Sequence, residues 1–302
     1  MSLEQFKNDL ISKNKYSVSF DEPMSLHTTF KIGGNADAFI KCRNITELKE
    51  IIHAAKKFDV PYFILGKGSN LLVSDKGIQG AVIMLDGIND ITVIGETLTC
   101  GAGASLRSVC IAAQKASLSG LEFAYGIPGT VGGALFMNAG AYGGEMSQVV
   151  VSAKALDCEA NEVEFLLEEM KLGYRTSVFK HNDAIITEVA FKLQKTDCTE
   201  IKEKMDDFFA RRRDKQPLEY PSAGSTFKRP EGYFAGALIE KNNLKGVSVG
   251  GAQISEKHAG FIINKGRATA EDVKNLISYV QGTVKKADGV CLEPEVILVG
   301  RE

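Results

Sequence analysis

Residues 123–145 read Phe123-Ala124-Tyr125-Gly126-Ile127-Pro128-Gly129-Thr130-Val131-Gly132-Gly133-Ala134-Leu135-Phe136-Met137-Asn138-Ala139-Gly140-Ala141-Tyr142-Gly143-Gly144-Glu145. Seven glycines fall between Gly126 and Gly144. A simple turn uses one or two; seven over two loops, with alanines between them, indicate backbone laid against a flat ligand or against other backbone. The stretch ends a wider enrichment: 30 of the 302 residues are glycine, and 16 of them lie between Gly66 and Gly144 without a period, which excludes a collagen-like repeat. An earlier loop, Gly66-Lys67-Gly68-Ser69-Asn70, follows the apolar run from Pro61 to Leu65. Its five residues suit an ordinary turn; equally, free N–H groups and the Ser69 and Asn70 side chains suit a pyrophosphate.

The rest of the composition is that of a globular protein, 44% hydrophobic and 25% charged, so disorder is not expected. The length fits two or three domains. A formal net charge of −2 provides no basic field for nucleic acid or an anionic membrane. Leu3, Phe6 and Leu10 mark an amphipathic helix with Ser2 and Gln5 placed as a capping box, in contrast to an export signal, and no stretch approaches a membrane span. A cytoplasmic location follows as the expectation. Cys42, Cys100, Cys110, Cys158, Cys198 and Cys291 form no CxxC pair and are expected as buried or half-buried reduced thiols. Asn44-Ile45-Thr46 matches a glycosylation sequon, but Thr46 is better placed as a helix N-cap.

Strand and helix patterns alternate, giving an α+β class. Helices are expected from Thr46 with Leu48, Ile51, Ile52, Ala55 and Phe58 inward, over 105–116, over 200–213 with Ile201, Met205, Phe208 and Phe209 inward, and over 269–286. Strands are expected at 61–65, 71–73, 81–85, 91–94, 97–100, 149–156, 184–193, 261–264 and 290–299. Pro217, Pro221 and Gly224 suggest a boundary. No P-loop, GxGxxG, HExxH or GxSxG motif occurs. The four histidines lack metal spacing, so no metal site is expected.

Three polar segments complete the pattern: Gly173-Tyr174-Arg175-Thr176-Ser177-Val178-Phe179, Pro221-Ser222-Ala223-Gly224-Ser225-Thr226-Phe227-Lys228-Arg229-Pro230, and Leu292-Glu293-Pro294-Glu295-Val296. Each alone fits a bland reading: a surface ion pair, a solvated turn, two exposed carboxylates. Taken in order with Thr28-Thr29-Phe30-Lys31-Ile32-Gly33-Gly34 and the glycine-rich loops, they cover nearly the whole chain. In this combination the chain resembles the UDP-N-acetylenolpyruvoylglucosamine reductase (MurB) family.

The resemblance implies a flavin-binding fold of the vanillyl-alcohol-oxidase (PCMH) type in two subdomains, 1–85 and 86–195, with a substrate domain at 196–289 and a C-terminal strand, 290–302, returning to the first. It implies non-covalent FAD, NADPH as co-substrate and a UDP-sugar substrate whose enolpyruvyl double bond is reduced. By the same resemblance Gly66, Lys67, Gly68, Ser69 and Asn70 hold the pyrophosphate, while Ile127, Pro128, Gly129, Thr130, Asn138, Ala139, Gly140, Ala141, Tyr142 and Gly143 line the rest of FAD. Arg175, Ser225 and Glu295 fall on the family's catalytic positions. Tyr174, Lys215, Arg229 and His258 fall on its substrate side. Arg175 would meet the substrate carboxylate, Ser225 would protonate the adjacent carbon with cationic help such as Lys228, and Glu295, kept partly desolvated, would donate to the carboxylate. Only 49 residues separate Arg175 from Ser225, which leaves no room for the tyrosine-bearing insertion of the family's larger branch. The nearest competing expectation is another flavin oxidase or dehydrogenase of this fold, acting on an alcohol or sugar acid. Arg211-Arg212-Arg213 could touch phosphates, but reads rather as a solvated helix end complementing the C-terminal helix dipole.

Overall fold

A computed structural model of the chain describes residues 2–302, with mixed helix and strand throughout. The chain divides into two compact units, each assembled from three segments. The first comprises residues 1–19, 38–67 and 80–212; the second comprises 20–37, 68–79 and 213–302. Residues 85 and 86, the expected subdomain boundary, both lie in the first unit, where the strand Ile78–Met84 pairs in parallel with Tyr62–Leu65 (Tyr62↔Ala81 to Leu65↔Met84).

The first unit opens on the helix Leu3–Lys13, capped by Ser2 with Gln5 closing the capping box; Phe6 and Leu10 are buried. The next helix, Ile45–Lys57, buries Leu48, Ile51, Ile52 and Ala55. Its N-cap is Asn44, which accepts from Glu47 N at 2.9 Å, so Thr46 lies inside the first turn. The cap moves because Asn44 has the extended backbone an N-cap requires. A five-stranded antiparallel sheet forms the rest of the scaffold, in the order Glu162–Leu166, Val150–Leu156, Ile185–Lys192, Thr97–Gly101, Ile91–Ile94. The two outer strands alternate half-buried and exposed residues, while Ile185, Ile186, Val189 and Phe191 of the central strand are all buried. Helix Leu106–Lys115, capped by Ser105, and the short helix Val131–Phe136, capped by Thr130, belong to the same unit.

The second unit has its own core. Val273, Leu276, Ile277, Val280 and Val284, one face of the helix Ala270–Asp288, pack with Leu238, Ile239, Ile254 and Ile262. Its antiparallel sheet runs Ser222–Ser225, Phe261–Asn264, Ala252–Ile254, Ser248–Val249. The expected C-terminal strand is much shorter than 290–299. Only Ile297–Val299 is strand, paired in parallel with Leu71–Val73. Pro294 lacks an N–H to extend that ladder, and Glu295 N turns to Thr226 O instead (2.8 Å). All six cysteines are free; Cys42, Cys100 and Cys110 are buried, but Cys158 and Cys291 are exposed, contrary to expectation. Among the described residues no helix is long and apolar enough to cross a membrane, and no cluster of side chains could hold a metal ion.

Candidate active site

The loop 66–70 is defined by its unused donors. None of the main-chain N–H groups of Gly66, Lys67, Gly68, Ser69 and Asn70 has an acceptor among the described residues. Consecutive free N–H groups are an anion-binding feature, and burying them without an acceptor would be costly. Two glycines are required here. A Cβ on Gly66 would stand 2.6 Å from Thr130 Oγ1, and Gly68 has φ +59° with His27 O 2.3 Å from where its Cβ would be. Asn70 does more than was expected of it: its amide donates to Glu295 O (3.1 Å), and its carbonyl accepts from Ile297 N (2.9 Å).

In the second glycine-rich stretch, Gly126, Gly129 and Thr130 likewise have no acceptor for their N–H groups among the described residues. Gly140–Ala141 and Gly144–Glu145 form a hairpin whose tip, Tyr142 and Gly143, has φ of 53° and 85°. The Tyr142 ring stacks on Phe208 (centroids 4.9 Å apart, planes at 9°), and Tyr125 meets Phe209 edge-on. Phe208 and Phe209 are therefore half-buried partners of the loop rather than core residues. Asn138 is almost fully buried; its Oδ1 accepts from Ser147 N (2.9 Å) and its Nδ2 donates to Gly173 O (3.0 Å).

That last bond positions Arg175. Gly173 and Thr176 exchange main-chain hydrogen bonds (3.1 and 3.2 Å), leaving Tyr174 and Arg175 at the tip of a tight turn. Arg175 has φ 55°, a left-handed conformation that an arginine adopts at a cost of about 1–2 kcal/mol. Its Nη2 donates to Gly140 O (3.4 Å), its guanidinium lies over the Tyr174 ring, and its carbonyl accepts from Lys180 Nζ (3.0 Å). A strained residue held from several sides is characteristic of a functional position.

In the second unit, the strand Ser222–Ser225 carries a bulge. Ser222 pairs with Ile263 and Ser225 with Phe261, so the register slips by one residue where Gly224 has φ +77° and open space about its α-carbon. The bulge re-aims Ser225, which stays half-buried. Thr226 is locked next to it: its N donates to Gly260 O (2.8 Å), its Oγ1 accepts from Ile262 N (3.0 Å) and its carbonyl accepts from Glu295 N (2.8 Å). Main-chain bonds thus set Ser225 and Glu295 beside each other. The sequence left Glu293 and Glu295 as alternatives on pattern alone. Glu293 is taken up in an exposed ion pair with Lys228 (2.9 Å), which lowers its pKa, whereas Glu295 is half-buried. The same pair engages Lys228, the cation expected to assist Ser225.

Of the expected substrate-side residues, Tyr174 is exposed next to Arg175, Lys215 is exposed at the end of the helix Cys198–Lys215, and the Arg229 guanidinium lies 4.0 Å from the Phe234 ring centre. His258 is half-buried: its Nδ1 accepts from Gly260 N (3.1 Å), and burial holds its pKa below the ordinary value. Of the arginine run, Arg211 and Arg213 bridge to Asp207 and Asp214, but Arg212 does neither and is half-buried, so it does not belong to the solvated helix end.

Runs of free N–H donors and glycines closed against side-chain growth suit the class of proteins that bind a diphosphate-bearing cofactor. The chain matches the FAD binding domain family over residues 36–165, so that class is a flavin-dependent oxidoreductase. Residues 216–299 match the C-terminal domain of UDP-N-acetylenolpyruvoylglucosamine reductase. UDP-N-acetylenolpyruvoylglucosamine reductase of Clostridium botulinum is 50% identical over 99% of both chains, and that of Clostridium perfringens is 49% identical over 96% of this chain and 95% of its own. The crystal structure of the Thermus caldophilus reductase superposes with a TM-score of 0.80 at 35% identity, covering 94% of this chain and 98% of its own. The chain belongs to the UDP-N-acetylenolpyruvoylglucosamine reductase family.

Proposed function

We infer that the chain reduces the enolpyruvyl group of UDP-N-acetylglucosamine enolpyruvate to the lactyl group of UDP-N-acetylmuramate, a step in peptidoglycan precursor synthesis, with NADPH as reductant, FAD as carrier and the cytoplasm as its place of action. The observation that carries the catalytic assignment is the main-chain bond from Glu295 N to Thr226 O, which fixes a carboxyl residue beside the serine that the bulge re-aims. FAD fits the residues present: two loops offer N–H donors lacking protein acceptors, suited to a diphosphate. Residues 66–70, 127–130 and 138–143 are its binding residues in this reading, on subdomains 1–85 and 86–195, with 196–289 receiving the UDP-sugar. When bound, FAD supplies hydride to the terminal alkene carbon.

The chain's own residues manage the charge that follows. Arg175 offers a planar fork of donors to the substrate carboxylate, onto which negative charge spreads. Its strained turn holds the fork in place before the substrate arrives, so no reorganisation is needed during reaction. Ser225 Oγ donates a proton to the carbon bearing the carboxylate; no histidine or aspartate in its segment activates it as a nucleophile. Glu295, partly desolvated, holds a proton toward the carboxylate. Tyr174, Lys215, Arg229 and His258 are the substrate-side positions, with Lys215 and Arg229 offering charge to the diphosphate.

Anaerobic half-reactions test this. The purified protein binds FAD reversibly, NADPH bleaches the bound flavin, and the enolpyruvyl UDP-sugar restores its colour. A protein that takes up no FAD, or a reduced flavin reoxidised only by oxygen or a dye, contradicts it.

A further inference from the structure

The helix Cys198–Lys215 presents an arginine that does not behave like its neighbours. Arg211 and Arg213 are exposed and each has a carboxylate partner. Arg212 is half-buried and has no hydrogen-bond or ion-pair partner among the described residues. Its surroundings are the glycine-rich stretch: its Cδ lies 3.0 Å, and its Nε 3.9 Å, from where a Cβ on Gly126 would stand. Of the ionisable groups only the Tyr142 hydroxyl acts on it, and no carboxylate does. Burial pulls its pKa below the ordinary value, the direction expected of a cation with no counter-charge. A guanidinium taken out of water with no anion to meet it is unfavourable unless a ligand provides one.

The neighbouring groups say what kind of anion. Gly126, Gly129 and Thr130 each have an N–H without an acceptor. Thr130 Oγ1 reaches to within 2.6 Å of the Cβ position of Gly66, where another run of free N–H groups begins. A guanidinium beside Gly126, with further free N–H groups three and four residues along the same loop, fits an oxygen-rich group, for which a single carboxylate offers too few acceptors.

We propose that Arg212 is the counter-charge for the diphosphate of a bound nucleotide, gripped together with the free N–H groups of residues 126–130. This rests on the flavoenzyme reading above. Two diphosphates are available in that reading, those of FAD and of the UDP-sugar, and the test separates them.

The test uses Arg212→Gln and Arg212→Lys on the full chain. Apo-protein is titrated with FAD and with riboflavin, which lacks phosphate, by quenching of flavin fluorescence; the reconstituted enzyme is titrated with UDP by calorimetry. Loss of a charge-assisted bond predicts a weakening of about 10- to 100-fold in R212Q, partly recovered in R212K. If FAD weakens and riboflavin and UDP do not, the diphosphate is that of the cofactor. If UDP weakens and FAD does not, it is that of the substrate. FAD and riboflavin weakening equally would place the guanidinium on the isoalloxazine or make it structural, and would overturn the proposal, as would unchanged binding of both nucleotides. Should R212Q fail to fold, R212K gives the reading through riboflavin against FAD. A wild-type protein that binds no FAD would break the flavoenzyme reading instead, which keeps the two failures distinct.

Discussion

The Arg175 turn and the Ser225 bulge position the two proposed catalytic groups by opposite means. Arg175 is positioned by side chains and strain: φ 55° at the turn tip, with Asn138 fastening Gly173 from 35 residues away. Ser225 is positioned chiefly by main chain: the register shift at Gly224 and the main-chain bonds of Thr226 to Gly260 and Glu295, with Thr226 Oγ1 adding one bond from Ile262 N. Side-chain replacement should therefore perturb the two regions differently. At the bulge it should remove chemistry and leave geometry; at the turn it should alter both.

The largest expected effect lies on the bulge side. Ser225→Ala should lower the rate of flavin reoxidation by the enolpyruvyl substrate by about 10²–10⁴-fold, the range for loss of a proton donor. NADPH should still bleach the flavin, and the melting temperature should hardly move. Glu295→Gln should behave alike with a smaller loss. Stopped-flow absorbance of each half-reaction makes the measurement; loss of the NADPH step would mean that Ser225 shapes the flavin site.

At the turn, Arg175→Lys should slow the same half-reaction about 10²-fold, since a point charge replaces a planar fork. Arg175→Gly should separate function from strain. It should abolish turnover while raising stability by about 0.5–1 kcal/mol, because glycine takes the left-handed conformation freely. Chemical denaturation checks this, and a destabilised glycine variant would show that the contacts of Arg175 outweigh its strain.

Much of this architecture could be read from the sequence, and the exceptions share a cause. The helices over 45–57, 106–115 and 270–288 announce themselves by apolar spacing and caps, and the glycine-rich loops by composition. What pattern does not encode is which distant backbone a residue meets. The strand expected over 290–299 failed because Glu295 N bonds to Thr226, almost 70 positions back, and left only 297–299 in a ladder. Arg212 looked like one of three solvated cations because periodicity cannot tell that the loop at Gly126 covers it. The side chain of Asn138 ties Ser147 to Gly173 across 26 residues, a contact that no local pattern announces. The assignment of Arg175, Ser225 and Glu295 needed the whole ordered set of motifs.

Asn138 offers the direct way to break the comparison. Asn138→Ala should cost about 1–3 kcal/mol by leaving Ser147 N without a partner and Gly173 O with Thr176 N alone. It should also lower turnover with saturating FAD, because the turn that carries Arg175 loses its tie. A variant as active per bound flavin as wild type would show that Gly173 and Thr176 hold the turn unaided.

The smallest effect concerns pH and lies on the main-chain side. His258 accepts from Gly260 N through Nδ1, and Gly260 O in turn accepts from Thr226 N. Burial lowers the folded pKa of His258, so the folded state holds fewer protons than the unfolded state once pH falls below the ordinary value of about 6.5. Stability then rises with pH across that window and is independent of this group above it. Acidification from pH 7 to 5 should lower the melting temperature, and His258→Asn, which keeps an acceptor near Gly260 N but does not titrate, should lose less over the same interval. The two curves should coincide in slope above pH 7. Equal losses in both proteins would mean that His258 gains its proton without disturbing the loop that aligns Thr226, and hence that the bulge depends on its ladder alone.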